Sequence, residues 1–142
     1  VVSVTYFGLV RPKNFHITAA TDADDVAWYS IDQLPELAFD HAQILQMALK
    51  RLQNKMNYQP IGFELLKKEF PFSDLENLYQ TILNRKIDRR NFRKKILSFG
   101  ILTETDKIYQ PASGRPAKLF KFNATKYKEL EKKGFHFEIK FA

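Results

Sequence analysis

The apolar positions of the chain change period several times, and each change predicts an element. VVSVTYFGLV, residues 1–10, is dense in β-branched and aromatic side chains and reads as a buried strand. VAWYSI, residues 26–31, reads as a second, after the acidic turn TDADD. From His41 to about Met56 the spacing becomes helical: Ile44, Leu45, Ala48, Leu49 and Leu52 share one face. Asp40 and Gln43 are spaced as a capping box there, and Phe39 and Ile44 as a hydrophobic staple.

Residues 61–66, IGFELL, read as a small strand. In FSDLENLYQTIL, Ser73 and Glu76 make a second capping box, and Leu75, Leu78, Tyr79, Ile82 and Leu83 form the stripe of a short helix ending at Asn84. Asp88 can cap a third helix from Arg89 to about Phe99, stopped by Gly100. KIYQ (107–110) and KLFKF (118–122) read as strands joined by the loop PASGRPA. ATKYKELEKKG predicts a helix stopped by Gly134, and FHFEIKF then alternates, with Phe135, Phe137, Ile139 and Phe141 on one side. Such a strand must be covered, by its own wing sheet or by a second subunit.

Helix, short strand, helix, helix, strand, loop, strand is the order of a winged helix, whose second helix-turn-helix helix enters a major groove. The expected fold class is therefore α+β: a winged helix-turn-helix domain over residues 41–142, with a leading linker helix and a carboxy-terminal helix and strand. Residues 1–40 are expected to be the tail of a larger α/β domain, because the chain starts directly in a strand-like run.

Charge sharpens this picture. Of the formal net charge of +7, the first 58 residues carry five Lys/Arg against six Asp/Glu, so the whole excess lies in the rest. RKIDRRNFRKK, residues 85–95, holds seven cations and one acid. On the third helix Phe92, Ile96 and Phe99 gather on one side, with Arg89 and Lys95 flanking them, while Arg90, Asn91, Arg93, Lys94 and Ser98 lie opposite. A charge run is commonly a solvated face. Here the alternating acids of such a face are nearly absent, the run falls on the helix that the topology puts forward, and a second basic element, Arg115 and Lys118, follows in the hairpin. The reading is a duplex-DNA interface made of Arg89, Arg90, Asn91, Arg93, Lys94, Ser98, Arg115 and Lys118, in which Asn91 suits adenine and Arg90 or Arg93 guanine.

Catalytic readings find little support. His16, His41 and His136 are far apart, no serine lies in a nucleophile-elbow motif, and there is no cysteine. Asp22, Asp24 and Asp25 lack the glycine and terminal glutamate of a calcium loop and read as a solvated turn. Trp28 and Tyr29 could line an effector pocket but read as core. No metal or cofactor is expected. No apolar run is long enough to span a membrane and no secretory signal is visible, so a cytoplasmic protein without a membrane partner is expected.

WYSIDQLPELAFDH, PIGFELLKKEFPFSDLENLYQTIL, RKIDRRNFRKKI and GRPAKLFKF, in that order, resemble the Nudix-related transcriptional regulators of the NrtR type, over most of residues 1–123. The resemblance implies an amino-terminal Nudix-like domain that binds a small effector and dimerises, and a carboxy-terminal winged helix that binds an operator. Members regulate NAD metabolism or pentose-sugar catabolism, with ADP-ribose or a sugar as effector. Arg89, Arg90, Asn91, Arg93 and Lys94 match the family's recognition helix and Arg115 its wing. The implied function is a DNA-binding regulator, a repressor, acting as a homodimer on an inverted repeat. No stretch has the glycine, arginine and glutamate spacing of a Nudix box, so this chain is not expected to be a hydrolase. The rival readings are a Nudix hydrolase fragment with a basic accessory domain, and a basic protein-interaction module.

Overall fold

The computed structural model describes residues 2–19, 21 and 23–141. Asp22 of the acidic turn and Val1 of the first strand-like run therefore lie outside the described residues. The chain divides into two compact units, residues 1–50 and 51–142.

In the first unit neither expected strand forms. Short 3-10 turns occur at Pro12–Asn14 and Ile31–Gln33, and the other described residues before position 39 are irregular or extended. A β-prone run becomes a strand only when a neighbour takes its backbone hydrogen bonds, and none of the described residues of these two runs pairs with another strand. Trp28 and Tyr29, expected in a core, are 53% and 59% exposed.

Helix α1, His41–Lys55, follows its predicted bounds closely. The Asp40 carbonyl accepts from the amides of Gln43 and Ile44, at 3.0 Å each. The hydrophobic staple does not form: Phe39 takes a left-handed conformation (φ 53°), is 95% exposed and meets His41 edge-on instead.

The second unit carries the core. After α1 the chain turns at Gly62, whose φ of 89° suits glycine and where a Cβ would stand 2.9 Å from the Leu78 side chain. Here the expected strand IGFELL is instead a 3-10 turn, Phe63–Leu65, that buries Phe63. The strand forms later, as β1 at Phe70–Pro71, and a proline fits there because β1 is an edge. Helix α2, Phe72–Leu83, starts directly from it. Because the helix begins at Phe72, Ser73 lies inside the first turn and the predicted capping box is not made; Pro71 is the N-cap, with no side-chain cap bond. At the other end Asn84 adopts a left-handed C-cap, as its sequence position suggests.

Helix α3, Arg89–Ser98, is followed by β2, Leu102–Tyr109, and β3, Ala117–Phe122. The sheet order is β1-β3-β2, antiparallel throughout, with Phe120 of β3 opposite Phe70 on one side and Glu104 on the other. β2 is longer than the KIYQ reading, beginning five residues earlier, and its register is irregular between Glu104 and Ile108. This is a winged helix: two packed helices over a three-stranded sheet whose β2–β3 loop projects as a wing.

Aromatic rings tie the layers together. Phe63 stacks on Phe122 with centroids 4.4 Å apart, and Phe72 meets Phe92 at 6.0 Å and Phe120 at 5.8 Å. Helix α4, Ala124–Lys132, ends in a Schellman turn: Gly134 takes φ 81° and the Phe135 amide donates back to Leu130 at 2.9 Å.

Residues 135–141 alternate in burial as predicted but are not a strand. Phe137 and Ile139 are buried, and the Ile139 amide donates to the Asn57 carbonyl at 2.7 Å. Phe141 stacks against Phe92 and packs near Tyr79, each at 6.1 Å. The segment is a strap over the helix-turn-helix, and among the described residues it pairs with no strand.

Tyr79 lies beneath it, fully buried, and its hydroxyl has no hydrogen-bond partner among the described residues. Burial, helped by the negative charge of Glu64, holds the phenol well above its usual range. Tyr79→Phe is therefore expected to raise stability, by about 1 kcal/mol, since it deletes a desolvated polar atom and keeps the ring. Urea denaturation of the two proteins measures the difference.

Candidate nucleic-acid interface

Helix α3 is set by its first turn. The Asp88 carboxylate accepts from the Asn91 amide at 2.9 Å, an N-cap bond that fixes where the helix begins. Phe92 and Ile96 then point inward and are buried, and Phe99 packs at a tilt against Phe137, centroids 4.9 Å apart. With that face taken by the core, the cations must point out.

The structure brings five of the sequence-selected residues onto the outer side of α3 and leaves all of them exposed, with Ser98 one turn further on. They differ in freedom. Arg90 and Lys94 make no ion pair with any described residue and stand at the summit of the face. Arg93 lies across aromatic rings, its guanidinium 4.6 Å from the Phe72 centroid and 5.4 Å from Phe120, so its direction is already fixed. Arg89 reaches down to Glu76, 3.7 Å away.

Glu76 is almost buried on α2. Burial raises its carboxyl above the usual range, while Arg89 and Arg93 pull it back. The carboxylate thus spans the two helices of the motif, and it was read from sequence only as half of a capping box. Ser98 donates to the Lys95 carbonyl at 2.6 Å, and the Asn91 side chain donates to Asp88 at 3.0 Å. Asn91 must release that bond before it can read an adenine edge.

Arg115 sits in the wing loop, exposed, next to Gly114, which takes φ 113°. Lys118 lies at the base of the wing, bonded to Glu104, and this bond raises its ammonium above the usual range. Its charge is therefore already partnered within the sheet, in contrast to Arg115.

One flank of α3 borders a cleft of about 540 Å³. Asn91, Lys94, Lys95 and Ser98 form one wall, Lys86 of the preceding turn closes an end, and Glu138 to Phe141 of the strap form the other wall. Among the described residues, no group of three or more His, Asp or Glu side chains could hold a metal ion, and no helix is long and apolar enough to cross a membrane.

The model of the NrtR DNA-binding winged helix domain matches residues 62–122. Those residues belong to the NrtR winged helix family. The matched span runs from the Gly62 turn to the end of β3 and so contains α2, α3 and the wing. The chain is 32% identical over 128 residues to the ADPR responsive transcriptional repressor NtrR of Acinetobacter baylyi, an alignment covering 89% of this chain and 50% of that protein. It thus spans about half the length of the curated relative it matches. The crystal structure of Shewanella oneidensis NrtR complexed with a 27mer DNA superposes with a TM-score of 0.59 at 25% identity, over 78% of this chain and 46% of that one. A second Shewanella oneidensis NrtR structure gives 0.57 at 29% identity, over 71% and 46%. The NrtR winged helix was thus legible in the order of its motifs. Glu76, Lys86 and Lys140 were not singled out as neighbours of the site, since only packing reveals what stands beside α3.

Proposed function

We propose that this chain is the DNA-binding part of an effector-responsive transcriptional repressor of NAD or sugar metabolism, working in the bacterial cytoplasm by binding rather than catalysis. The observation that carries it is the outer side of α3, where Arg90 and Lys94 stand free on a helix-turn-helix whose family model is DNA-binding. Arg93, held over Phe72 and Phe120, supplies a pre-aimed guanidinium, and Arg115 at the wing supplies a second point of contact with the backbone or the adjacent minor groove. In this reading Arg89, Asn91, Ser98 and Lys118 complete the contact surface once their present partners are exchanged for DNA.

Residues 1–40 are, in the same reading, the carboxy-terminal remnant of a Nudix-like effector domain, and 41–142 the winged helix with its leading helix, strap and α4. The effector is an ADP-ribose-like molecule or a pentose sugar; the first is favoured by the name of the Acinetobacter baylyi relative, an ADPR responsive repressor. The assembly is a homodimer on an inverted repeat, which would place two copies of α3 about 34 Å apart, one turn of duplex or a multiple of it.

The test is a selection. This chain is mixed with random duplexes at low and at moderate salt, and the bound fraction is sequenced. Enrichment of one motif, expected as an inverted repeat, supports a sequence-reading domain and gives its operator. An absence of binding at low salt overturns the reading.

A further inference from the structure

Beyond the recognition helix and the wing, the cleft beside α3 has a composition that the family match does not account for. Its far wall is the strap, which lies outside residues 62–122. Four lysines line it, Lys86, Lys94, Lys95 and Lys140, against two acids, Asp88 and Glu138. Of the two acids, only Asp88 is held, among the described residues, by a group other than these lysines, so the lining keeps an excess of positive charge. Asp88 accepts from the backbone and side chain of Asn91, and Glu138 makes only an exposed pair with Lys140 at 3.6 Å, a contact that water and salt weaken. Lys95 lies over the Phe99 ring at 5.2 Å, its ammonium still outward. The cleft thus has an apolar floor of Ile87, Phe92, Ile139 and Phe141 with lysines in excess around it, and runs along the flank of α3 opposite to the one that Arg93 occupies.

The strap is held firmly enough to carry such a wall. Phe137 and Ile139 are core residues, and Phe141 is sandwiched between the Phe92 ring and the Arg85 guanidinium, 6.1 and 5.4 Å away. Alternation along 135–141 then forces Lys140 to the outside, between two inward side chains.

From this we infer that the carboxy-terminal strap is a third DNA-contacting element, in which Lys140 and Lys86 hold phosphates of the duplex backbone beside α3. The inference rests on the DNA-binding reading above. A helix lying in a major groove has a phosphate strand on each side; the wing serves one side, and the lysine-lined trough is the feature that this fold offers to the other. Contacts of this kind position the helix and carry no sequence preference.

The experiment compares Lys86→Gln, Lys140→Gln and the double variant with the parent chain, measuring affinity for random duplex across about 50 to 200 mM salt. Each substitution is expected to make the dependence of log affinity on log salt shallower by about one unit, and the double by about two. Over that fourfold range the parent would lose roughly tenfold more affinity than the double variant. Lys140→Arg should restore the parent slope, and Lys128→Gln, on α4 and away from the trough, should leave it unchanged. Thermal melting of each variant confirms that it is folded.

Unchanged slopes in folded Lys86→Gln and Lys140→Gln, with the parent still binding, would overturn the strap assignment and leave the proposed function standing; the trough would then suit an acidic protein segment. A shallower slope in Lys128→Gln as well would overturn it too, because the effect would be one of total charge. A parent chain that binds no duplex would remove the DNA reading itself.

Discussion

Phe92→Ala is expected to cost about 3 to 5 kcal/mol of stability, a large share of the roughly 5 to 15 kcal/mol that a domain commonly has. Phe92 is 4% exposed and joins α3 to α2, through Phe72 at its start and Tyr79 in its middle at 4.9 Å, and to the strap, through Phe141. Truncation would leave a ring-sized cavity bordered by rigid aromatic rings, which collapse poorly. The loss should appear as a lower urea midpoint at unchanged slope, together with weakened DNA binding, because the same side chain seats the helix bearing Arg90 and Lys94. Phe92→Leu, which keeps most of the volume, should lose less than half as much. A cost below about 1 kcal/mol for the alanine variant would mean that α3 is anchored elsewhere.

The second large effect concerns binding and should leave stability alone. Arg90→Glu combined with Lys94→Glu should weaken duplex binding by about 2 to 6 kcal/mol if each side chain makes one contact worth about 1 to 3 kcal/mol. Both residues are exposed and unpaired among the described residues, so the melting temperature should barely move. The single changes should separate by kind. Lys94→Gln should weaken all sequences alike and flatten the salt dependence, as loss of a phosphate contact does. Arg90→Ala should relax preference at one base position. Fluorescence anisotropy on the selected operator and on a scrambled duplex distinguishes the two. Equal behaviour of the two classes would mean that the outer side of α3 attracts DNA without reading it.

Much of the geometry of the candidate interface was legible because its causes are local. The Asp88 cap, the inward Phe92 and Ile96 and the outward Arg90 and Lys94 all follow from spacing within a few residues of one helix. The same holds for the ends of α2 and α4, where Asn84 and Gly134 take the left-handed conformations that stop a helix. Where a signal needed a distant partner, the reading went astray. Glu76 has the spacing of a capping box but turns to Arg89, thirteen residues on, because α2 starts at Phe72 and offers no Ser73 cap to answer. VVSVTYFGLV and VAWYSI have the composition of strands, yet their described residues remain unpaired.

The strap shows the same division within seven residues. Its alternation determined that Phe137 and Ile139 face inward and Lys140 outward, since successive side chains of extended backbone point to opposite sides. It could not say what lay inward. Two-residue periodicity is shared by paired strands and by extended chain laid on helices, and the choice depends on which backbone groups stand opposite, here the Asn57 carbonyl beyond the end of α1. The sequence by itself determined the helices, the Asp88 cap of α3, the left-handed ends at Asn84 and Gly134, the charged side of α3 and the winged-helix order. Only the tertiary structure decided the β1–β3 pairing, the Glu76–Arg89 contact and the seat of the strap, because each joins residues whose meeting is set by packing rather than by neighbours in the chain.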